Sequence, residues 1–146
     1  MAVTSPLRRV RLEQARVRAD RRAALGELSE RLFLRRSFLQ LRPADQRWQR
    51  PELVQLLRRH SQLYRTISTP FDGPLPFALG YFRIRANELE PVAEAIPLED
   101  PEQLVWLLSE FLQPGARFWV KVGEAWQGWQ IVGEGQIQTI SEVPEK

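Results

Sequence analysis

The densest alternation of apolar and polar positions lies between Asp100 and Ile140. Leu104, Leu107, Leu108, Phe111 and Leu112 recur at helical spacing, and Val105 and Trp106 widen the stripe. This pattern predicts a helix that is covered on more than one side. Its start is marked by four consecutive residues. Asp100 offers an acceptor to first-turn N–H groups, and Pro101 lacks the N–H that would go unbonded there. Glu102 sits at the positive end of the helix dipole, and Gln103 completes a capping-box spacing. Pro114-Gly115 predicts the end.

The period then shortens to two. From Ala116 to Val122, Phe118, Val120 and Val122 share one face, and Arg117, Trp119 and Lys121 the other. Gly123 to Gly128 predicts a turn that contains Trp126. Trp129 to Val132 predicts a second strand, Gly133-Glu134-Gly135 a tight turn, and Gln136 to Ile140 a third strand. Ile131, Ile137 and Ile140 are the branched residues expected to pack, with the helix covering one face of the sheet. Upstream, Phe77 to Arg85 reads as a fourth strand with Phe82 and Ile84 opposite Tyr81, Arg83 and Arg85. Asn87 to Leu98 fits neither period cleanly, and Pro91 and Pro97 argue against a central strand. A short helix or an irregular edge segment is the expectation there.

The N-terminal half reads as helical. Val3, Leu7, Val10, Gln14, Val17, Arg21, Ala24 and Leu28 follow spacings of four and three, a heptad-like seam interrupted by Gln14 and Arg21. From about Pro6 this predicts a long Arg-rich helix, kinked or divided at Gly26. A denser apolar patch from Leu25 to Leu41 follows, with a stop at Pro43. Ala44 to Arg50 reads as a loop containing Trp48. Another helix begins at Pro51-Glu52, with Leu53, Leu56, Leu57, Leu63 and Tyr64 on its stripe. Thr69 to Pro76 holds three prolines and a glycine and predicts a rigid linker or turn series.

The fold class expected is therefore α+β, a helical, Arg-rich N-terminal half followed by a small, mostly antiparallel four-stranded sheet packed with one helix. Residues 1–69 form the basic arm and helices, and residues 70–146 the compact α+β part. Residues 30–69 are expected to fold with that part as one cooperative unit.

Charge sharpens the division. The net charge is +3, yet sixteen arginines face six acidic residues before position 70, and five basic residues face twelve acidic ones after it. Opposite fields of this size either neutralise each other within one fold or between copies, or turn the basic half toward an acidic partner. Apolar residues make up 43% of the chain, which suits a globular protein. No cysteine is present, so disulfides, a thiol nucleophile and Cys-based metal sites are excluded. No stretch approaches the roughly 20 apolar residues that span a bilayer. The basic N-terminus has no apolar run behind it, so no secretory signal is expected, and the expected location is cytoplasmic.

Recognisable catalytic patterns do not emerge. No Gly-rich phosphate loop, nucleophile elbow or named nucleic-acid module is present. His60 stands alone on its stripe and reads as a packing or surface residue. The carboxylates Glu88, Glu90, Glu94, Glu99 and Glu102 read as a solvated run. No cofactor, metal or catalytic residue is assigned, and no enzymatic activity is expected. The expected function is a non-catalytic protein–protein interaction module, an adaptor or assembly subunit. Its candidate contacts are Arg8, Arg9, Arg11, Arg16, Arg18 and Arg22 on the arm, and Trp119, Trp126 and Trp129 on the sheet. The alternative is nucleic-acid binding through the Arg-rich helix, with the tryptophans as stacking platforms. Against both stands simple packing, with the N-terminal helices covering the second face of the sheet.

Overall fold

The computed structural model describes residues 7–39, 49–66, 77–98 and 100–141. The chain opens with a strand, β1 (Leu7–Glu13). It continues through a short 3-10 turn at Ala19–Arg21 into α1 (Arg22–Leu39), then α2 (Gln49–His60) and α3 (Gln62–Thr66). A second 3-10 turn at Phe77–Tyr81 leads into β2 (Phe82–Arg85), β3 (Glu88–Pro91) and β4 (Ala95–Pro97). The helix α4 (Pro101–Leu108) precedes β5 (Arg117–Val122), β6 (Ala125–Gly133) and β7 (Gln136–Ile140).

The fold is α+β, but its plan differs from the one expected. The sheet has five strands in the order β4-β1-β5-β6-β7, all neighbours antiparallel, and β2 and β3 form a separate two-stranded hairpin. The Arg-rich N-terminal helix does not exist over residues 7–18. β1 lies inside the sheet, with Val10 opposite Val120, Leu12 opposite Phe118 and Arg8 opposite Ile96. The N-terminal half is thus not uniformly helical, and strands from both sides of Thr69–Pro76 share one sheet.

The physical reason lies in Leu7 to Glu13. Arg8, Val10 and Leu12 alternate with Arg9, Arg11 and Glu13, and burial follows that alternation from Leu7 to Val10, with Val10 buried and Arg9 exposed. The heptad-like seam placed Leu7 on the packed face, but Leu7 is 71% exposed. Gln14 then takes a left-handed conformation (φ 52°), which no helix allows. Gly26 sits within the unbroken α1. Trp48, the loop around it and the Thr69–Pro76 segment lie outside the described residues.

The inner face of the sheet presents Val10, Phe118, Val120, Trp129 and Ile131 to α4, with Leu12 and Ile137 partly buried beside them. Every residue of α4 from Gln103 to Leu108 is buried, as its broad apolar stripe implies. Asp100 accepts from the Gln103 backbone N–H at 3.1 Å, with Pro101 at the first turn, so the start of α4 is where its cap signals place it. The helix ends sooner than its apolar pattern. Ser109 turns its hydroxyl back to the Trp106 carbonyl, and Leu112 bridges to Val17 instead of extending the helix.

Leu25, Leu28 and Leu32 of α1, Leu57 of α2 and Tyr64 of α3 complete the same core. Each such side chain contributes about 1.5–3 kcal/mol on burial. Tyr64 meets Trp106 edge to face at 5.4 Å, and its hydroxyl accepts from Gln103 Nε2. Ser29, buried in α1, donates to the Phe82 carbonyl and fixes the helix against the segment leading into β2.

The β2–β3 hairpin starts within the expected strand Phe77–Arg85, whose first part is instead a 3-10 turn, and its second strand lies in the region expected to be helical or irregular. Its two-residue turn, Ala86-Asn87, has both residues in the left-handed region (φ 52° and 64°), the geometry that matches strand twist in short hairpins. The expected faces of β2 hold, with Phe82 buried and Arg83 and Arg85 exposed. The β5–β6 turn is confined to Gly123-Glu124, where Gly123 supplies φ 64°. Trp126 and Gly128, expected in a longer turn, are therefore strand residues.

Candidate functional site

The outer face of the five-stranded sheet gathers most of the unusual chemistry. Strand alternation places Arg9, Arg11 and Glu13 of β1 here, with Arg117, Trp119 and Lys121 of β5, Trp126, Gly128 and Gln130 of β6, and Gln138 and Ile140 of β7. Its centre is Trp119, only 1% exposed. Among the described residues, Trp119 is the one buried hydrophobic side chain that does not belong to the inner core.

Three neighbours bury it. Gly128 lies directly opposite on β6, and Ile140 lies opposite Gly128 on β7. A Cβ at position 128 would stand 2.8 Å from Ile140 Cγ1 and closer still to the Trp119 ring. On the other side, the indole N–H of Trp119 donates to Glu13 Oε1 at 2.9 Å. The buried donor is thus satisfied by a carboxylate one strand away, which locks the ring flat along the sheet.

Around this fixed centre Arg11, Arg117, Lys121 and Trp126 are half-buried, and Arg9 and Gln138 are exposed. Trp126 stands directly opposite Lys121, and Arg11 directly opposite Trp119. Arg11, Arg117 and Lys121 form no ion pair or side-chain hydrogen bond among the described residues, and Arg9 reaches only the exposed Glu94 at 3.3 Å. Among the described residues the face carries four cations and one carboxylate, Glu13, which stands directly opposite Arg117 and accepts from Trp119.

The other sequence-predicted residues disperse. Arg8 points inward and donates to the Leu98 carbonyl at 3.1 Å. Arg18 donates to both oxygens of Asp20 and to the Glu110 carbonyl, and its Nη1 lies 3.8 Å from Glu134. Arg16 and Arg22 stand away from the sheet face, beside the β2–β3 turn. Trp129 is on the inner face, 6% exposed, and its indole N–H has no acceptor among the described residues. Arg9, Arg11, Trp119 and Trp126, expected in two separate contacts on an arm and on a sheet, thus share one surface. The sequence hid Glu13 and Gly128, whose signals lie only in cross-strand register.

Two further polar centres serve the fold. Glu110, wholly buried, accepts from Ser61 Oγ at 2.5 Å and the Gln62 backbone N–H at 2.6 Å, with Arg21 Nη1 at 3.5 Å. It joins the α2–α3 junction to the loop after α4. His60, at the end of α2, approaches Glu27 of α1 at 3.5 Å. Burial holds its imidazole below the ordinary value of 6.5, reinforced by Arg59, Arg31 and Arg65 and opposed by Glu27. Glu90 pairs with Arg83 at 2.7 Å, and Glu88, Glu94 and Glu102 are exposed. Among the described residues, no three His, Asp or Glu side chains come together as a metal site, and no helix is long and apolar enough to cross a membrane.

No family model, curated protein or solved structure matches the chain.

Proposed function

We propose that this chain is a non-catalytic binding module that docks an acidic protein surface on the outer face of its five-stranded sheet. One observation carries the reading: Lys121 stands directly opposite the half-buried Trp126, and Arg11 and Arg117 lie further along the same face, all three cations without ionic partners among the described residues, on a face held rigid by Trp119 and Gly128. An aromatic anchor flanked on one side by unpaired cations, on strands and not loops, is pre-organised for a partner that supplies carboxylates and one apolar contact.

Nucleic acid is the weaker reading on two grounds. Residues 7–13 form a strand within the sheet, so the arm that was to track phosphates is not a free helix. Trp119 and Trp129 are both buried, which leaves Trp126 as the one half-exposed ring of the three expected to stack on bases.

Fluorescence anisotropy separates the classes. A labelled peptide alternating Glu with Leu and a labelled single-stranded oligonucleotide of equal length are titrated at about 0.15 M salt, where exposed charges more than about 8 Å apart are largely screened. The peptide should bind more tightly. Trp126→Ala should weaken it by about 30-fold, the cost of losing a hot-spot residue of about 2 kcal/mol. Tighter binding of the oligonucleotide, lost in Arg11→Glu, would replace this reading with the nucleic-acid one.

A further inference from the structure

A second feature lies apart from the sheet face. An open cleft of about 740 Å³ is lined by Arg16, Val17, Ala19 and Arg22, by Ala86, Asn87 and Glu88 at the β2–β3 turn, and by Gln113. Its size falls within the usual range for small-molecule sites.

The wall bearing Arg16 is fixed from both sides. Leu89 N–H donates to the Ala15 carbonyl at 2.9 Å, and Val17 N–H donates to the Asn87 carbonyl at 2.8 Å. From the other direction, Gln113 N–H donates to the Arg16 carbonyl and Arg18 N–H to the Phe111 carbonyl, both at 2.8 Å. The backbone carrying Arg16 is therefore clamped between the β2–β3 turn and the loop after α4, and Arg22 follows on the first turn of α1.

The two arginines are also unspent. Their neighbours Arg18 and Arg21 are engaged with Asp20, Glu110 and Glu134. Among the described residues, neither Arg16 nor Arg22 has an ion pair or side-chain hydrogen bond. Arg16 and Glu88 face each other as backbone bridge partners, yet guanidinium and carboxylate are not paired. The cleft thus holds two free guanidinium groups, one free carboxylate and the two amides of Asn87 and Gln113.

That donor and acceptor set describes its ligand. Two guanidinium groups on a fixed wall match a phosphate. The carboxylate of Glu88 disfavours a second anionic group and accepts from hydroxyls. Among the described residues no aromatic side chain lines the cleft, so a nucleobase finds nothing there to stack on. We propose that the cleft binds a small phosphorylated polyol, its phosphate between Arg16 and Arg22 and its hydroxyls on Glu88, Asn87 and Gln113.

Isothermal titration at low ionic strength tests this with ribose 5-phosphate, inorganic phosphate and ribose as probes. Ribose 5-phosphate should bind in the range of about 0.1–1 mM, at least tenfold tighter than inorganic phosphate. Arg16→Ala and Arg22→Ala should each weaken it by about tenfold or more, whereas Arg11→Ala, on the sheet face, should leave it unchanged. Glu88→Leu relieves repulsion of the phosphate and removes the hydroxyl acceptor, so it should narrow the gap between ribose 5-phosphate and inorganic phosphate. The inference is overturned if ribose 5-phosphate shows no binding up to about 10 mM, where an affinity of this class would be unmistakable. Equal affinity for inorganic phosphate, or insensitivity to both arginine substitutions, overturns it equally.

Discussion

The six-membered ring of Trp119 occupies the space above Gly128 where any side chain at that position would stand. This pairing makes the outer face flat and places a large aromatic where water would otherwise meet the sheet. Gly128→Val forces the ring and Ile140 aside and should destabilise the protein by at least about 1–3 kcal/mol, the usual range for overpacking. Trp119→Ala should cost about 3–5 kcal/mol. Thermal or urea unfolding checks both, and near-wild-type midpoints would mean that Trp119 does not lie over Gly128.

Glu110 provides a second test of the core. Its carboxylate is fully buried and bonded to Ser61, Gln62 and, through charge, Arg21. Glu110→Ala leaves Arg21 facing a cavity and strips acceptors from Ser61 and the Gln62 N–H. Removal of one member of such a buried group costs about 3–5 kcal/mol. Urea denaturation should show a loss of that order, and a loss below about 1 kcal/mol would show that these groups find solvent instead.

The α4 cap gives a smaller effect. Asp100→Ala removes the acceptor for the Gln103 N–H and should cost about 0.5–2 kcal/mol, while Asp100→Asn or Asp100→Ser, which still cap, should cost less. An identical loss in all three variants would trace the effect to something other than capping.

His60 predicts a pH dependence. Its folded pKa is lowered, so the unfolded chain takes up the proton first as pH falls. The neutral imidazole's contribution is complete above about pH 6.5, the unfolded value. It is lost as pH drops from there to the folded pKa, and the dependence then ceases. Urea midpoints at pH 7.5 and 5.5, above the main carboxylate range, should therefore fall more in the wild type than in His60→Gln. Parallel shifts in the two proteins would contradict the direction of the His60 shift.

The contrast between what the sequence disclosed and what it hid is physical. α4 was legible because its cap, proline and stripe are local, and local signals act within a few residues of themselves. β5 and β7 were legible because alternation survives in short strands. β1 was misread because three apolar residues spaced three and seven apart, Leu7, Val10 and Val17, satisfy a helical seam as readily as Val10 and Leu12 satisfy a strand. Only pairing with Val120 and Phe118, more than 100 positions away, decides between them. The Ala86-Asn87 turn was hidden because alanine is a poor residue for the left-handed region it adopts. The sheet face was half legible: alternation put Arg117, Trp119 and Lys121 together, but Glu13 and Gly128 join them only through register.

The central claim is that the outer sheet face is the docking surface, and residue-resolved NMR titration tests it most directly. Isotope-labelled protein is titrated with the alternating Glu-Leu peptide, and backbone and indole resonances are followed. The indole N–H of Trp126 and the amides of Arg11, Arg117, Lys121 and Gln130 should shift together along one binding curve, and Lys121→Glu should weaken that curve by about tenfold, a difference of about 1.4 kcal/mol. Shifts confined to other surfaces, or a curve unchanged in Lys121→Glu, would contradict the account.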